Sequence, residues 1–326
     1  MKIGMTYDLR DDYLREGYTL EQTAEFDRAD TIDALDEAIR ALGHETDRIG
    51  NARQLVGRLA RGDRWDLVFN IAEGMYGLGR EALVPALLDA YRIPYTFSDP
   101  LVLSLTLHKG MTKAVIRSAG ILTPDYAVVG SPADVDRVEL AYPLFVKPVA
   151  EGTGKGISGA SRVKTHQELK SVCEGLLKEF DQEVLVETFL PGREFTAGVV
   201  GTLDEAEVVG VMEVLPRDGL KGDLIYSYHT KANYEQIVDY RVPEPEVVKA
   251  CSALALDSWK ALRCRDGGRV DIRMDASGRP NFIEVNPLAG LNPVHSDLPI
   301  LCRLNDIDYQ ELIEKILMSA LKRMKV

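Results

Sequence analysis

The chain is short of several things, and each shortage excludes a class of protein. Only four cysteines occur in 326 residues (Cys173, Cys251, Cys264 and Cys302), and none stands in a C-x-x-C spacing. Neither a zinc site nor a disulfide framework is suggested, so reduced, partly buried thiols are expected. No apolar run approaches the ~20 residues that a membrane span needs. The longest, such as 82–88, is short and broken by Pro85. Positive charge is scarce as well: 39 Lys and Arg against 51 Asp and Glu leave a net charge of −12. That balance argues against a broad nucleic-acid or anionic-membrane surface, and any phosphate bound must meet a local cluster of lysines. The first residues, Met1 to Asp8, reach charge almost at once and lack the apolar core of a signal peptide, so a cytoplasmic protein is expected. What remains, 45% hydrophobic and 28% charged, describes an ordinary globular chain long enough for two or three domains.

The first third alternates strand and helix. Lys2 to Thr6 reads as a buried strand, Thr31 to Leu42 as an amphipathic helix ended by Gly43, and Trp65 to Asn70 as a second strand. The loop Glu73 to Gly79, a helix over Arg80 to Ala90 and an extended segment from Ile93 to Thr96 follow. This rhythm predicts a small parallel sheet covered by helices, with ligand loops at the carboxyl ends of its strands. Helical periodicity then runs from Leu101 through Lys109, Lys113 and Arg117 to Gly120. Beyond it the texture becomes that of antiparallel sheets, with strands at 144–148, 184–187, 195–200 and 208–214 and one helix over Gln167 to Glu179. Boundaries near residues 105 and 182 divide the chain into an N-terminal α/β domain (1–105), a central subdomain (106–182) and a C-terminal subdomain (183–326). A last helix, Tyr309 to Met324, opens acidic and closes on Lys322 and Arg323, as its dipole prefers.

Three stretches carry chemistry. In the hairpin Val270 to Asp275 and Asn281 to Asn286, a period of two sends Val270, Ile272, Met274, Ile283 and Val285 to one face. Asp271, Glu284 and Asn286 gather on the other, an all-oxygen trio of the kind a hard divalent cation wants. In Phe145 to Ile157, a strand delivers Lys147 to a loop holding Gly152, Gly154 and Gly156. Glycines let backbone N–H groups wrap phosphate oxygens, and Thr153 adds a hydroxyl. Taken alone, this loop suits a surface hairpin with a solvated Lys155 slightly better; it has neither the P-loop nor the G-x-G-x-x-G spacing. The third stretch, Val184 to Glu194, is an apolar strand that turns between Glu187 and Glu194. Its backbone could meet an adenine edge, Phe189 could cover the purine and a carboxylate could take ribose hydroxyls.

Together the lysine–glycine loop, the E-x-x-L-x-G-x-E turn and the oxygen-rich hairpin resemble the ATP-grasp superfamily. In detail they are similar to D-alanine–D-alanine ligases and their relatives over nearly the whole length. Phe69 to Gly74 and Ile93 to Ser98 resemble the family's "HG" and "IPYTGS" segments, and His108-Lys109 stands where the family has Asp-Lys. The resemblance implies a three-domain α/β and α+β fold, with a parallel N-terminal sheet and antiparallel sheets in the two ATP-grasp subdomains. It implies ATP phosphates on Lys109 and Lys147, under a loop formed by Glu151, Gly152, Thr153, Gly154, Gly156 and Ile157. It places the nucleoside on Glu187, Phe189, Leu190 and Glu194, and the transferred phosphate on Lys231. Mg²⁺, with Mn²⁺ as an alternative, falls on Asp271, Glu284 and Asn286. Arg269 and the backbone N–H of Gly290 match the donors beside the tetrahedral oxyanion. The implied activity joins a small-molecule acid and amine through an acyl phosphate, and a homodimer is compatible with it.

The departures gather at the substrate end. Where the D-alanyl enzymes have a tyrosine after the phosphate lysine, this chain has Ala232; where the loop carries two serines, it has Thr153 and Gly154. The pair that meets a substrate carboxylate falls near Ser296 and Asp297, and Asp297 would repel one. Glu25, and after it Glu21, is the nearest counterpart of the glutamate that grips the first ammonium, with Glu73 a further substrate candidate. The expectation is therefore an ATP- and Mg²⁺-dependent carboxylate–amine ligase for amino acids or amino-acid-like metabolites. A true D-alanine–D-alanine ligase is its nearest rival, and an ATP-binding regulatory protein without ligase activity is the rival from another class.

Overall fold

The computed structural model describes residues 1–216 and 238–324. The N-terminal part holds β1 (Lys2–Tyr7), α1 (Arg10–Arg15), α2 (Ala29–Ala41), β2 (Glu45–Gly50), α3 (Ala52–Ala60) and β3 (Leu67–Ile71). The three strands form a parallel sheet in the order β2-β1-β3. Alternation decides its two faces: Ile3, Met5, Leu67 and Phe69 pack with Ile32, Leu35 and Ile39 of α2, whereas Ile49 and Val68 pack with Leu55 and Leu59 of α3. The β2–α3 unit was not among the elements expected from the sequence, although α3 is amphipathic and buries Leu55 and Leu59. Asn51 starts α3 with a capping box closed by Gln54.

A 3₁₀ turn at Arg80–Ala82 leads into α4 (Leu83–Ala90), after which Tyr95 bridges to Val68 in parallel. The long periodic segment expected over 101–120 is two helices, α5 (Pro100–Leu107) and α6 (Lys109–Ser118). His108 breaks them: its backbone is extended and its imidazole accepts from the N–H of Met111, which makes Lys109 the first residue of α6.

The central sheet contains β4 (Tyr126–Val129), β5 (Leu144–Pro148), β6 (Arg162–Val163) and β7 (Val184–Thr188) in the antiparallel order β4-β7-β5-β6, with α7 (His166–Phe180) packed on it. β7 pairs here with β4 and β5, so by sheet membership the division expected near residue 182 falls after residue 188. The C-terminal part holds β8 (Glu194–Val200), β9 (Glu207–Pro216), β10 (Val238–Arg241), α8 (Pro245–Ala261), β11 (Gly267–Met274), β12 (Pro280–Asn286), α9 (Asp297–Leu304) and α10 (Tyr309–Arg323). Its sheet order is β10-β9-β8-β11-β12, all antiparallel.

Two contacts fix where β11 sits. A Cβ on Gly268 would lie 2.4 Å from the carbonyl oxygen of Asn286 and 2.8 Å from the ring of Trp259, so only glycine lets this fully buried indole close on the strand. Just before the strand, buried Asp266 accepts from the backbone N–H of Phe97 (2.7 Å), from Ser319 Oγ (2.8 Å) and from Arg323 (2.5 Å). One carboxylate thus ties the N-terminal domain, β11 and α10 together.

Candidate active site

The hairpin β11–β12 carries the oxygen-rich trio, and its register sets Asp271 opposite Glu284 and Arg269 opposite Asn286. Residues opposite one another share a face, so the four polar groups lie together. The expected alternation fails at one place. A register shift after Asp271 pairs Ile272 with Phe282, and Phe282 takes the core position expected of Ile283. Ile283 instead lines a cavity with Glu284. A bulge cannot be read from a period of two.

Asp271 accepts hydrogen bonds from Thr196 Oγ1 (3.0 Å) and Asn286 Nδ2 (3.2 Å), and Arg269 Nε lies 3.4 Å from its carboxylate. Lys109 Nζ and Lys147 Nζ lie 3.6 and 3.8 Å from Glu284. Among the described residues no three Asp, Glu, His or Cys side chains form a metal cage. Two carboxylates and an amide are nevertheless a hard-oxygen set that fits Mg²⁺, which commonly keeps water and phosphate oxygens for the rest of its shell.

Lys147 leaves β5 fully enclosed, with Nζ 3.1 Å from Glu187 Oε1. On the other side of that carboxylate stands Lys113, which is 0% exposed and 2.9 Å from Oε2. Burial alone would raise the pKa of Glu187, but the two ammonium groups bring it below its ordinary value. Burial likewise pushes Lys147 down, yet Glu187 and Glu284 more than offset it, so that its pKa is raised. At Lys113 burial wins, and the pKa falls. The Glu187 carboxylate therefore clamps two lysines, rather than standing in the open turn where a ribose would meet it. Beyond β7, Phe189 lies between the guanidinium groups of Arg162 and Arg273, 4.1 and 5.4 Å from the ring centre. Glu194 pairs with Arg273 at 3.0 Å. Lys147, Gly154, Ile157, Glu187, Phe189, Leu190, Glu194 and Asp271 all line one pocket of about 120 Å³.

The glycine loop is not a solvated hairpin. Thr153, Gly154 and Gly156 have φ of +50°, +75° and +72°, left-handed values at which a side chain is costly. Lys155 is 8% exposed and lies 2.7 Å from Glu151 and 3.4 Å from Glu25. Glu25 reaches the loop from the N-terminal domain, accepts from the N–H of Gly152 (2.7 Å) and pairs with Arg80 (3.3 Å). Burial would raise its pKa, but Arg80, Lys155 and that N–H hold it below the ordinary carboxylate value. Lys109 donates to the carbonyl of Glu151, where the loop begins, at 2.6 Å.

A second, larger cavity of about 430 Å³ adjoins the first, and Glu284 and Asp297 line both. Arg269, Gly290, Ser296, Glu25 and Glu73 are on its wall, as are Asp27 and Glu81, which sequence reasoning did not single out. Arg269 Nη1 lies 3.7 Å from Asp297. Among the described residues its lining carries seven carboxyl groups (Glu25, Asp27, Glu73, Glu81, Glu151, Glu284 and Asp297) and four cations (Arg10, Arg28, Lys109 and Arg269). Burial raises the pKa of Asp27 to about 7, helped by Asp8, and that of Glu81 to about 7 despite Arg80. It raises Glu73 well above its ordinary value, with Glu81, Glu25 and Asp27 adding to it. Glu21 is exposed and outside both cavities; Lys231 and Ala232 lie outside the described residues. Lys113 was legible only as one position of a helical period, because its partner Glu187 is 74 residues away in the chain.

A glycine loop tied to Lys109 and lining one pocket with Lys147, between two antiparallel sheets and beside an oxygen-rich hairpin, is the arrangement of an ATP-grasp enzyme. The family model described as "D-ala D-ala ligase C-terminus" matches residues 115–318. A D-alanine–D-alanine ligase of Aquifex aeolicus is 32% identical over 87% of this chain and 92% of its own length. Two solved structures share the fold over almost the whole of both chains. A D-alanine–D-alanine ligase from Bacillus anthracis complexed with ATP covers 100% of this chain and 99% of its own, with a TM-score of 0.72 at 23% identity. The VanG D-Ala:D-Ser ligase from Enterococcus faecalis covers 98% and 99%, with a TM-score of 0.74 at 21% identity. The chain belongs to the D-alanine–D-alanine ligase family, and it is an ATP-dependent ligase that forms an amide bond.

Proposed function

We propose that the protein joins the carboxyl group of an amino-acid-like substrate to the amine of a second one that is not D-alanine. One observation carries the second half. Asp297 stands beside Arg269 in the larger cavity, so the protein's own carboxylate faces the cation that a substrate carboxylate would seek. A substrate carboxylate brought there meets a like charge, whereas an ammonium or a hydroxyl does not.

The chemistry follows from the placement of the side chains. ATP phosphates lie along Lys109 and Lys147 and under the N–H groups of the glycine loop, with the purine against Phe189 and Leu190 and the ribose near Glu194. Asp271, Glu284 and Asn286 would hold Mg²⁺, which when bound would neutralise charge on the phosphates. An oxygen of the substrate carboxylate attacks the γ-phosphorus, the bond to the β–γ bridging oxygen breaks, and ADP leaves. The amine then attacks the acyl carbon, and inorganic phosphate departs from the tetrahedral intermediate. Arg269 and the N–H of Gly290 are the donors for the oxyanion of that intermediate. Glu25 latches the loop through Gly152 and Lys155 and so keeps water from the acyl phosphate. The four buried, unbridged cysteines suit a reducing compartment, and we assign the enzyme to the cytoplasm.

The test supplies purified protein with ATP, Mg²⁺ and a panel of amino acids and amines, and reads ADP release together with the product mass. Amide formation with a cationic or uncharged amine, and little with D-alanine, is expected. Efficient synthesis of D-alanyl-D-alanine from D-alanine alone would overturn the proposal and return the protein to the activity named for its relatives.

A further inference from the structure

Lys113 itself lines neither cavity and stands behind the wall residue Glu187, yet it is among the largest fully buried side chains of the protein. A lysine is enclosed at such cost only when its charge is matched and its donors are used. Its ammonium forms an ion pair with Glu187 Oε2 at 2.9 Å and donates to Thr123 Oγ1 at 2.9 Å. Thr123 in turn donates to the carbonyl of Phe282 at 2.8 Å, while the N–H of Phe282 donates to the carbonyl of Leu122 at 2.8 Å. Phe282 is the residue before the bulge that turns Ile283 and Glu284 into the site. One ammonium group therefore joins α6, the central sheet through Glu187, and the hairpin that carries Glu284.

We infer that Lys113 is a positioning residue for ATP: it holds Glu187 from behind so that Lys147 stays available to the phosphates. This rests on the reading of Lys147 as a phosphate ligand. Lys147 lies 3.1 Å from Glu187 and 3.8 Å from Glu284, so one ammonium is shared between a structural carboxylate and the site. With Lys113 in place, Glu187 divides its charge between two cations. Without it, Glu187 has Lys147 alone and draws it back from the pocket. The helix supplies the geometry, because Lys109 and Lys113 are four residues apart on one face of α6. Lys109 serves the loop and Glu284 directly; Lys113, one turn on, serves the lysine of the neighbouring sheet.

The probe is a non-hydrolysable ATP analogue with Mg²⁺, titrated calorimetrically into the full chain, with thermal melts run on the same samples. Lys113→Met is expected to weaken binding at least tenfold while melting as one cooperative unit. Lys113→Met combined with Glu187→Gln is expected to recover part of that loss, because the neutral amide no longer captures Lys147. A role confined to stability would lower the melting temperature and leave the analogue's Kd unchanged at temperatures where the protein is folded. Thr123→Val keeps the shape and removes the link to Phe282, and should weaken binding a few-fold. If Lys113→Met folds and binds within twofold of wild type while Lys147→Met binds poorly, the inference is overturned. Should Lys113→Met not fold, an unchanged Kd for Thr123→Val overturns it instead. Wild-type binding by Lys147→Met would instead overturn the phosphate-site reading on which the inference stands.

Discussion

Replacing Asp297 with asparagine removes one negative charge and almost no volume from the wall shared by the two cavities. Its side chain is 16% exposed and lies 3.7 Å from Arg269. A substrate carboxylate seated ~4 Å from Asp297 would pay about 4 kcal/mol at an effective dielectric of ~20. Arg269 screens part of that, leaving about 1.4–2.7 kcal/mol, or roughly a 10–100-fold penalty in kcat/KM for an amine substrate that carries a carboxylate. The asparagine variant is expected to recover that factor for D-alanine as the second substrate, with the KM for ATP unchanged. Folding should barely move: Asp297 sits in the first turn of α9, where an acid contributes about 0.3–1 kcal/mol. The assay follows D-alanyl-D-alanine by mass spectrometry under steady-state conditions for both proteins. Equal kcat/KM in the two would show that Asp297 does not face the second substrate, and the charge argument would fail.

Three other outcomes are expected. Asp271→Asn or Glu284→Gln should nearly abolish Mg²⁺-dependent ADP release while leaving the circular dichroism spectrum intact, because each removes a charge from the oxygen set without changing its shape. Gly154→Val, at φ of +75°, should slow ATP turnover more than it lowers the melting temperature; the opposite order would make the loop a folding element only. The last concerns pH. Asp27 has a folded pKa of about 7 against an ordinary 3.8, so between those values the folded protein keeps a proton that the unfolded chain has released. Stability from this group is therefore full below about pH 4 and is lost as pH rises towards 7. Asp27→Asn should melt progressively higher relative to wild type from pH 4.5 to 7.5, and a constant difference across that range would refute the shifted pKa.

Periods and short spacings already carry the parts of the fold that are local in the chain. The apolar run of β1 and the 3.6-residue period of α2 predict the parallel sheet and its cover, because burial of one face repeats along each element. The glycine loop, the turn after β7 and the polar face of β11–β12 were legible as motifs, since each is local in the chain. The helix break at His108 was not, because it rests on one imidazole accepting from Met111 inside an unbroken apolar period. Nor was the bulge at Ile283, which depends on what Phe282 meets across the sheet. Tertiary structure alone decided which charges share a site. Glu187 is bound by lysines 40 and 74 positions away in the chain, and Glu25 reaches Gly152 across 127 residues. Burial then settles how these groups ionise: the same carboxyl chemistry leaves Glu25 and Glu187 charged between cations and lifts Asp27 and Glu81 to about 7. A sequence records the acid, but its surroundings come from segments that meet only when the chain folds.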